Sequence, residues 1–178
     1  MCFITTPRLS IRPFRADDWR DLHGYLSREE AVRFEPYGVF SELDAMREAE
    51  RRAGDADFLA VELCSESKVI GNLYRTKKDF GEWEIGYVFN PEYWGRGYAT
   101  EAARALVARL FETEAARRIT AKCDPLNERS WKMLERLGFT REGRLRRNVF
   151  FKCDARGEPI WKDTYVYGLL KDDENLII

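Results

Sequence analysis

Two glycines stand two residues apart, Gly95 and Gly97, in "PEYWGRGYATEAARAL" (91–106), between a pair of aromatics and an alanine-rich run. Glycine is costly in ordered backbone and poor inside a helix, so a pair placed just ahead of one needs a reason. The first N–H groups of a helix have no internal partner and sit at the positive end of its dipole. Glycines there let backbone amides approach a diphosphate with no Cβ in the way. The segment therefore reads as an anion cradle. The amides of Gly95, Arg96, Gly97, Tyr98, Ala99 and Thr100 face the ligand, Gly97 supplies the unusual backbone geometry, Ala99 keeps the ligand side open, and Arg96 adds a charge. The plain alternative is a tight loop and nothing more. A P-loop is excluded, because no Gly-Lys-Ser/Thr follows. A dinucleotide site competes: Gly95-x-Gly97-x-x-Thr100 lies between strand and helix, and Asp124 follows the next strand. Against it, Thr100 stands where a third small residue should pack helix on strand, and about four elements precede the supposed first strand.

Just upstream, "EWEIGYVFN" reads as a strand in which Glu82, Glu84, Gly86 and Val88 share one face and Trp83, Ile85, Tyr87 and Phe89 the other. Two carboxylates beside a bare glycine mark a face that something approaches closely; a solvated face is the alternative. Downstream, Asn127 and Ser130 open "NERSWKMLERLGF", where Asn127 serves as an N-cap and Ser130 sits in the first turn at little cost. The only histidine, His23, falls on the polar side of an early helix and reads as a surface residue.

These residues must be held by something, and the spacing of apolar positions supplies it. Strands are predicted at 8–14, 57–63, 68–76, 82–90, 117–123, about 143–152 and 160–170. Helices are predicted at 16–27, 41–54, 98–115 and 127–139, the second opening on Ser41 as N-cap and stopping at Gly54. Residues 28–40, broken by Pro36 and Gly38, are expected to be irregular. A hairpin at 57–76 and one crossover from 82–90 to 117–123 imply a mixed sheet with helices on it, in one α/β domain spanning 1–178.

Bulk properties narrow the class further. A chain of 178 residues with 44% hydrophobic and 34% charged residues builds its own core, and a net charge of −1 gives no bias toward nucleic acid or an anionic membrane. The start, "MCFITTPRLSIRPF", does not read as a signal peptide, so none is expected, and no stretch approaches the ~18 apolar residues of a membrane span. The four cysteines, Cys2, Cys64, Cys123 and Cys153, lie far apart, so neither a metal site nor a redox pair is expected. The expectation is a reduced, cytoplasmic protein.

"WGRGYATEA" resembles the acetyl-CoA loop of the GNAT N-acetyltransferase superfamily, whose pattern is Gln/Arg-x-x-Gly-x-Gly/Ala. "TPRLSIRPFRADD", "KVIGN", "EIGYVF" and "NERSWKMLERLGF" resemble, in order and spacing, the opening, the hairpin strand, the strand before the loop and the second signature helix of its ribosomal-protein-type (RimJ/RimL-like) branch. One departure is Trp94, which occupies the Gln/Arg position, so that side-chain contact is absent and the amides must carry more.

The resemblance implies a GNAT-like α/β domain with a central mixed, mostly antiparallel, splayed sheet and about four flanking helices. It also implies acetyl-CoA as cosubstrate, no metal, and direct transfer of acetyl to a primary amine, at a protein N-terminus or in a small molecule. In that reading Tyr87, Val88 and Phe89 pair with the pantetheine arm, an amide near Val88 or Phe89 meets the thioester oxygen, and Asn127 holds the arm. Ser130 lies near the sulfur, and Glu84, with Glu82 in reserve, takes the amine's proton through a water. Apart from the resemblance, substrate choice is expected in the irregular residues 28–40, where Glu35, Tyr37 and Phe40 are candidates to bind a cationic amine, and in the 143–165 hairpin. No membrane or nucleic-acid partner is expected, and a homodimer stays open. Two rivals remain: a non-catalytic acetyl-CoA-binding module, and a dinucleotide-dependent oxidoreductase.

Overall fold

One eight-stranded sheet runs in the order β1-β2-β3-β4-β5-β6-β8-β7. Its strands are β1 (Ile4–Thr5), β2 (Leu9–Pro13), β3 (Phe58–Leu63), β4 (Lys68–Lys77), β5 (Glu82–Phe89), β6 (Arg118–Cys123), β7 (Thr140–Cys153) and β8 (Pro159–Leu170). Neighbours are antiparallel throughout except β5 and β6, which are parallel. The helices are α1 (Trp19–Leu26), a one-turn α2 (Glu29–Val32), α3 (Glu42–Ala53), α4 (Tyr98–Glu112) and α5 (Glu128–Arg136). The computed structural model describes residues 4–173, so Cys2 lies outside the described residues.

Local chemistry sets the boundaries. Ser41 caps α3 by accepting from the Asp44 amide, and Asp44 returns a bond to the Ser41 amide. Asn127 caps α5 through the Ser130 amide. Two elements differ from the sequence expectation. β1 is an eighth strand, only two residues long and so too short to show alternation. Residues 28–40, expected to be irregular, include the turn of α2 before the chain breaks at Pro36.

Helices cover both faces of the sheet. On one, α4 buries Ala102, Leu106, Leu110 and Phe111 against Ile70, Ile85 and Phe89, and α5 adds Met133 and Leu134. On the other, α1 and α3 bury Leu22, Tyr25, Leu26 and Ala49 against Ala60, Val69 and Val88. Gly71 in β4 is forced by the closeness of β5: a Cβ there would lie 2.6 Å from the Phe89 ring and 2.7 Å from the Val88 carbonyl oxygen.

The crossover through α4 leaves an opening in the sheet. β5 pairs with β4 along its full length, to Phe89↔Gly71, but with β6 only from Glu82↔Arg118 to Ile85↔Ala121. Both strands continue beyond that point while β6 stays paired with β8. The sheet is therefore splayed between β5 and β6, and the last residues of β5 have a free edge.

Candidate active site

The Asn90 amide donates to the Ile70 carbonyl at 2.9 Å, which fixes the parity of β5. Val88 spends its backbone groups on β4, while Tyr87 and Phe89 turn theirs toward the gap. The Phe89 carbonyl is taken there by the Trp94 indole N–H, at 2.9 Å. Trp94 thus ties the loop to the end of β5. The chain then rises through Gly95 (φ +76°) and Gly97 (φ +81°), both in the left-handed region that side chains resist. Gly97 is the N-cap of α4, and its carbonyl accepts from Glu101 at 3.0 Å. Among the described residues, the amides of residues 95–100 have no backbone partner, so they gather at the positive end of a 15-residue helix.

A clamp from the far end of the sheet holds this turn. Glu101 accepts from Thr6 Oγ1 (2.6 Å), the Arg8 amide (3.2 Å) and Arg8 Nε (2.6 Å), and Arg8 also donates to the Arg96 carbonyl (3.0 Å) and lies over the Tyr98 ring. Burial works to raise the Glu101 carboxyl, but the bonds from Thr6 and Arg8 outweigh it and hold it below the ordinary range.

Beneath the loop the gap between β5 and β6 forms a cavity of about 160 Å³, lined on the α5 side by Tyr87, Asn127 and Ser130 and on the α2 side by Phe34 and Glu35. The Tyr87 hydroxyl lies 2.9 Å from Ser130 Oγ. Burial raises that phenol well above its usual range, and the Ser130 bond opposes it only in part. Cys123, also in the lining, has its thiol pushed up to about 11 by burial. It is a protonated thiol at neutral pH and a poor nucleophile. Glu35 is half-buried, and its carboxyl is raised to about 7 by burial, against the charge of Arg52 and a bond from Tyr37.

Known proteins resemble this chain in sequence and in fold. The family model described as the acetyltransferase (GNAT) domain matches residues 8–140. The chain belongs to the GNAT acetyltransferase family. Among GNAT relatives, an uncharacterized N-acetyltransferase of Bacillus subtilis, YnaD, is 39% identical over 175 residues, covering 97% of this chain and 99% of that one. The spermidine N(1)-acetyltransferase of Escherichia coli K12 is 26% identical, covering 83% and 81% of the two chains. The GNAT acetyltransferase structure from Bacillus anthracis superposes with a TM-score of 0.85 at 34% identity, covering 94% of this chain and 97% of that one. The protein is an acyltransferase, and the family's cosubstrate is acetyl-CoA.

Within this GNAT frame the sequence candidates fall into groups. Gly95, Arg96, Gly97, Tyr98, Ala99 and Thr100 form the turn above the gap, with the Arg96 guanidinium 5.5 Å from the Tyr93 ring centre. Tyr87, Asn127, Ser130 and Glu35 meet in the cavity. Val88 is buried on the opposite face of β5. Tyr37 and Phe40 meet edge to face with ring centres 5.3 Å apart, and Phe40 lines a separate, wider hollow against α3. Glu84 is held by Lys122 (3.1 Å), and Glu82 by Arg118 (2.9 Å) and Thr120 (3.3 Å); neither lines the cavity. His23 is half-buried in α1 and does not line it either. Cys123, Phe34, Arg52 and the Thr6–Arg8–Glu101 clamp had no sequence signal, because each depends on a contact between distant segments.

Among the described residues no group of three or more potential metal ligands forms, and no helix is long and apolar enough to cross a membrane.

Proposed function

We propose that the protein transfers an acetyl group from acetyl-CoA directly to a primary amine. The observation that carries this reading is the outward-facing turn of Gly95 and Gly97 set directly over an open strand edge. The unpartnered amides at the N-terminus of α4 suit a diphosphate, and the open edge at Tyr87, with the Phe89 amide, suits an extended, amide-bearing arm. In this assignment the residue 95–100 amides bind the diphosphate, with Arg96 adding charge. The Phe89 amide points where a thioester oxygen would need a donor, and Val88 serves as packing beneath it. Asn127 and Ser130 orient the arm, and the Tyr87–Ser130 pair faces the sulfur end. Cys123 takes no acyl group, since its thiol stays protonated; this favours direct transfer over a covalent enzyme intermediate.

The acceptor enters from the α2 side, between Phe34 and Glu35, and is a protein N-terminal amine or a small-molecule amine. The RimJ/RimL-like opening motif favours the first. The spermidine-acetylating relative, at 26% identity, favours the second. The unpaired cysteines Cys64, Cys123 and Cys153 agree with a reduced, cytoplasmic setting.

Thermal melting with acetyl-CoA, CoA and NAD(P) in parallel tests the cofactor assignment. A ligand at 100 times its dissociation constant stabilises by ~2.7 kcal/mol, a rise of roughly 5 to 10 °C for a chain of this size. Acetyl-CoA and CoA should give that rise, and Gly97→Val, which forces a branched side chain to φ +81°, should reduce it against the variant's own baseline. No response to either CoA form, or a response to NAD(P) alone, contradicts the assignment.

A further inference from the structure

We infer that Glu35, not Glu82 or Glu84, takes the proton from the incoming amine. The inference rests on the acetyl-transfer reading and on where the three carboxylates stand. Only Glu35 lines the gap, opposite the Tyr87–Ser130 side where the acetyl end would lie. Glu82 and Glu84 share its face of the sheet, but their oxygens are engaged by Arg118, Thr120 and Lys122, with the Lys78 ammonium a further 3.9 Å from Glu84. A carboxylate whose oxygens are already engaged by neighbouring side chains has little room for an incoming amine.

Burial raises the Glu35 carboxyl, and its charged and hydrogen-bonding neighbours act against that rise. Its own segment contributes the Tyr37 hydroxyl, and α3 contributes Arg52. Arg52 is 1% exposed and pairs with Glu48 at 2.7 Å; its charge also acts on Tyr25 of α1. Across the gap stand Tyr87 on β5 and Lys122, Cys123 and Asp124 at the end of β6, with Asp124 bound by Lys162 at 2.8 Å. Arg52 therefore keeps the ionised form accessible inside a site that otherwise disfavours it. The resulting value near 7 is matched to taking a proton at neutral pH.

The step balances as follows. The ammonium gives one proton to the Glu35 carboxylate, which later passes it to solvent. The freed nitrogen lone pair forms the N–C bond at the acetyl carbon of acetyl-CoA. The C–S bond breaks with its electron pair on sulfur, and the second nitrogen proton neutralises that thiolate.

Two measurements on the full chain test the assignment. The first follows thiol release from acetyl-CoA between pH 5.5 and 9.5, with spermidine and an alanine-initiated peptide as probe acceptors. Wild-type kcat/KM should rise with unit slope to a bend near 7. Glu35→Gln should lose about 100-fold in kcat and also lose the bend, while its melting shift with acetyl-CoA stays intact. Retention of the bend in Glu35→Gln, or its loss in Glu84→Gln instead, overturns the inference. The second needs no acceptor: carboxyl titration by carbon NMR of glutamate-labelled protein, assigned by the signal missing in Glu35→Gln. A midpoint near 7 supports the inference, and one below 5 overturns it even where neither probe is acetylated. Failure of acetyl-CoA to shift the melting of either protein would instead strike the cofactor reading.

Discussion

Replacing Glu35 by Gln should stabilise the folded protein, with a pH signature that follows from burial. The folded carboxyl titrates at about 7 rather than the ordinary 4.5. Between those values the folded state keeps a proton that the unfolded chain has released, so stability falls as pH rises through the window and the loss is complete above it. Below 4.5 both states are protonated and the carboxyl carries no penalty. At roughly 1.4 kcal/mol per pH unit the full window is worth on the order of 3 kcal/mol. Glu35 is only half-buried and borders an open gap, so solvent trims this to about 2 kcal/mol. Gln matches the side chain in size, keeps the hydrogen-bonding partner Tyr37 and never ionises. Urea unfolding followed by circular dichroism at pH 4.5, 6, 7 and 8 should show the variant ahead by about 2 kcal/mol at pH 8, equivalent to roughly 4 to 8 °C in Tm. The gap should close by pH 4.5. A difference that does not change with pH, or a wild type that is the more stable at pH 8, would refute the account of why this carboxyl is raised.

Other perturbations address the scaffold around the gap. Gly71→Ala places a methyl group 2.7 Å from the Val88 carbonyl, so β4 and β5 must part; the expected cost is about 1–3 kcal/mol in unfolding free energy, with weaker acetyl-CoA stabilisation. An unchanged urea midpoint would show that β5 is not held that close. Tyr25→Phe removes the buried 2.9 Å bond to Asn72 Oδ1 and leaves that oxygen unpaired under the sheet, which should cost about 1–3 kcal/mol by the same measurement. Thiol reactivity follows the local environment: at pH 8, iodoacetamide should label Cys64 and Cys153, both exposed, on the order of 100-fold faster than Cys123, as read by peptide mass spectrometry. Equal rates would mean that the Cys123 thiol is ionised far more readily than its burial allows.

The parts legible in the sequence are those whose physics is local. Gly95 and Gly97 announce the turn because left-handed backbone leaves few other residues able to stand there, and Ser41 and Asn127 announce helix starts through bonds to amides three residues on. Strand alternation puts Glu82 and Glu84 on one face. It carries no information about what faces them, since Arg118, Thr120 and Lys122 arrive from a strand more than 30 residues later. Trp94 shows the same limit. As a departure from the family pattern it suggests a lost contact, whereas its indole closes onto Phe89, five residues back, through a bond that only the bend of the intervening turn makes available.

On the acetyl-transfer reading proposed above, the donor and acceptor sides of the gap are written in the chain in different ways. The donor side is nearly continuous, from β5 through the glycine turn into α4, and its geometry is fixed by backbone: unpartnered amides, a strand edge left open by the crossover, and Gly71 drawing β4 in close. The acceptor side is assembled from the short segment after α2, the end of β6 and the first residues of β8, and is fixed by side chains. Lys162 illustrates this: it binds Asp124 at the end of β6 while lying 5.5 Å from the Phe34 ring, so it joins three segments at the cavity rim. Backbone geometry tolerates most substitutions outside glycine, but a wall made of Phe34, Glu35 and their distant supports changes shape with any one of them. Exchanging residues 33–40 for those of YnaD should therefore alter which amine is acetylated while leaving the melting shift with acetyl-CoA in place. Loss of that shift would mean the two sides are not separable.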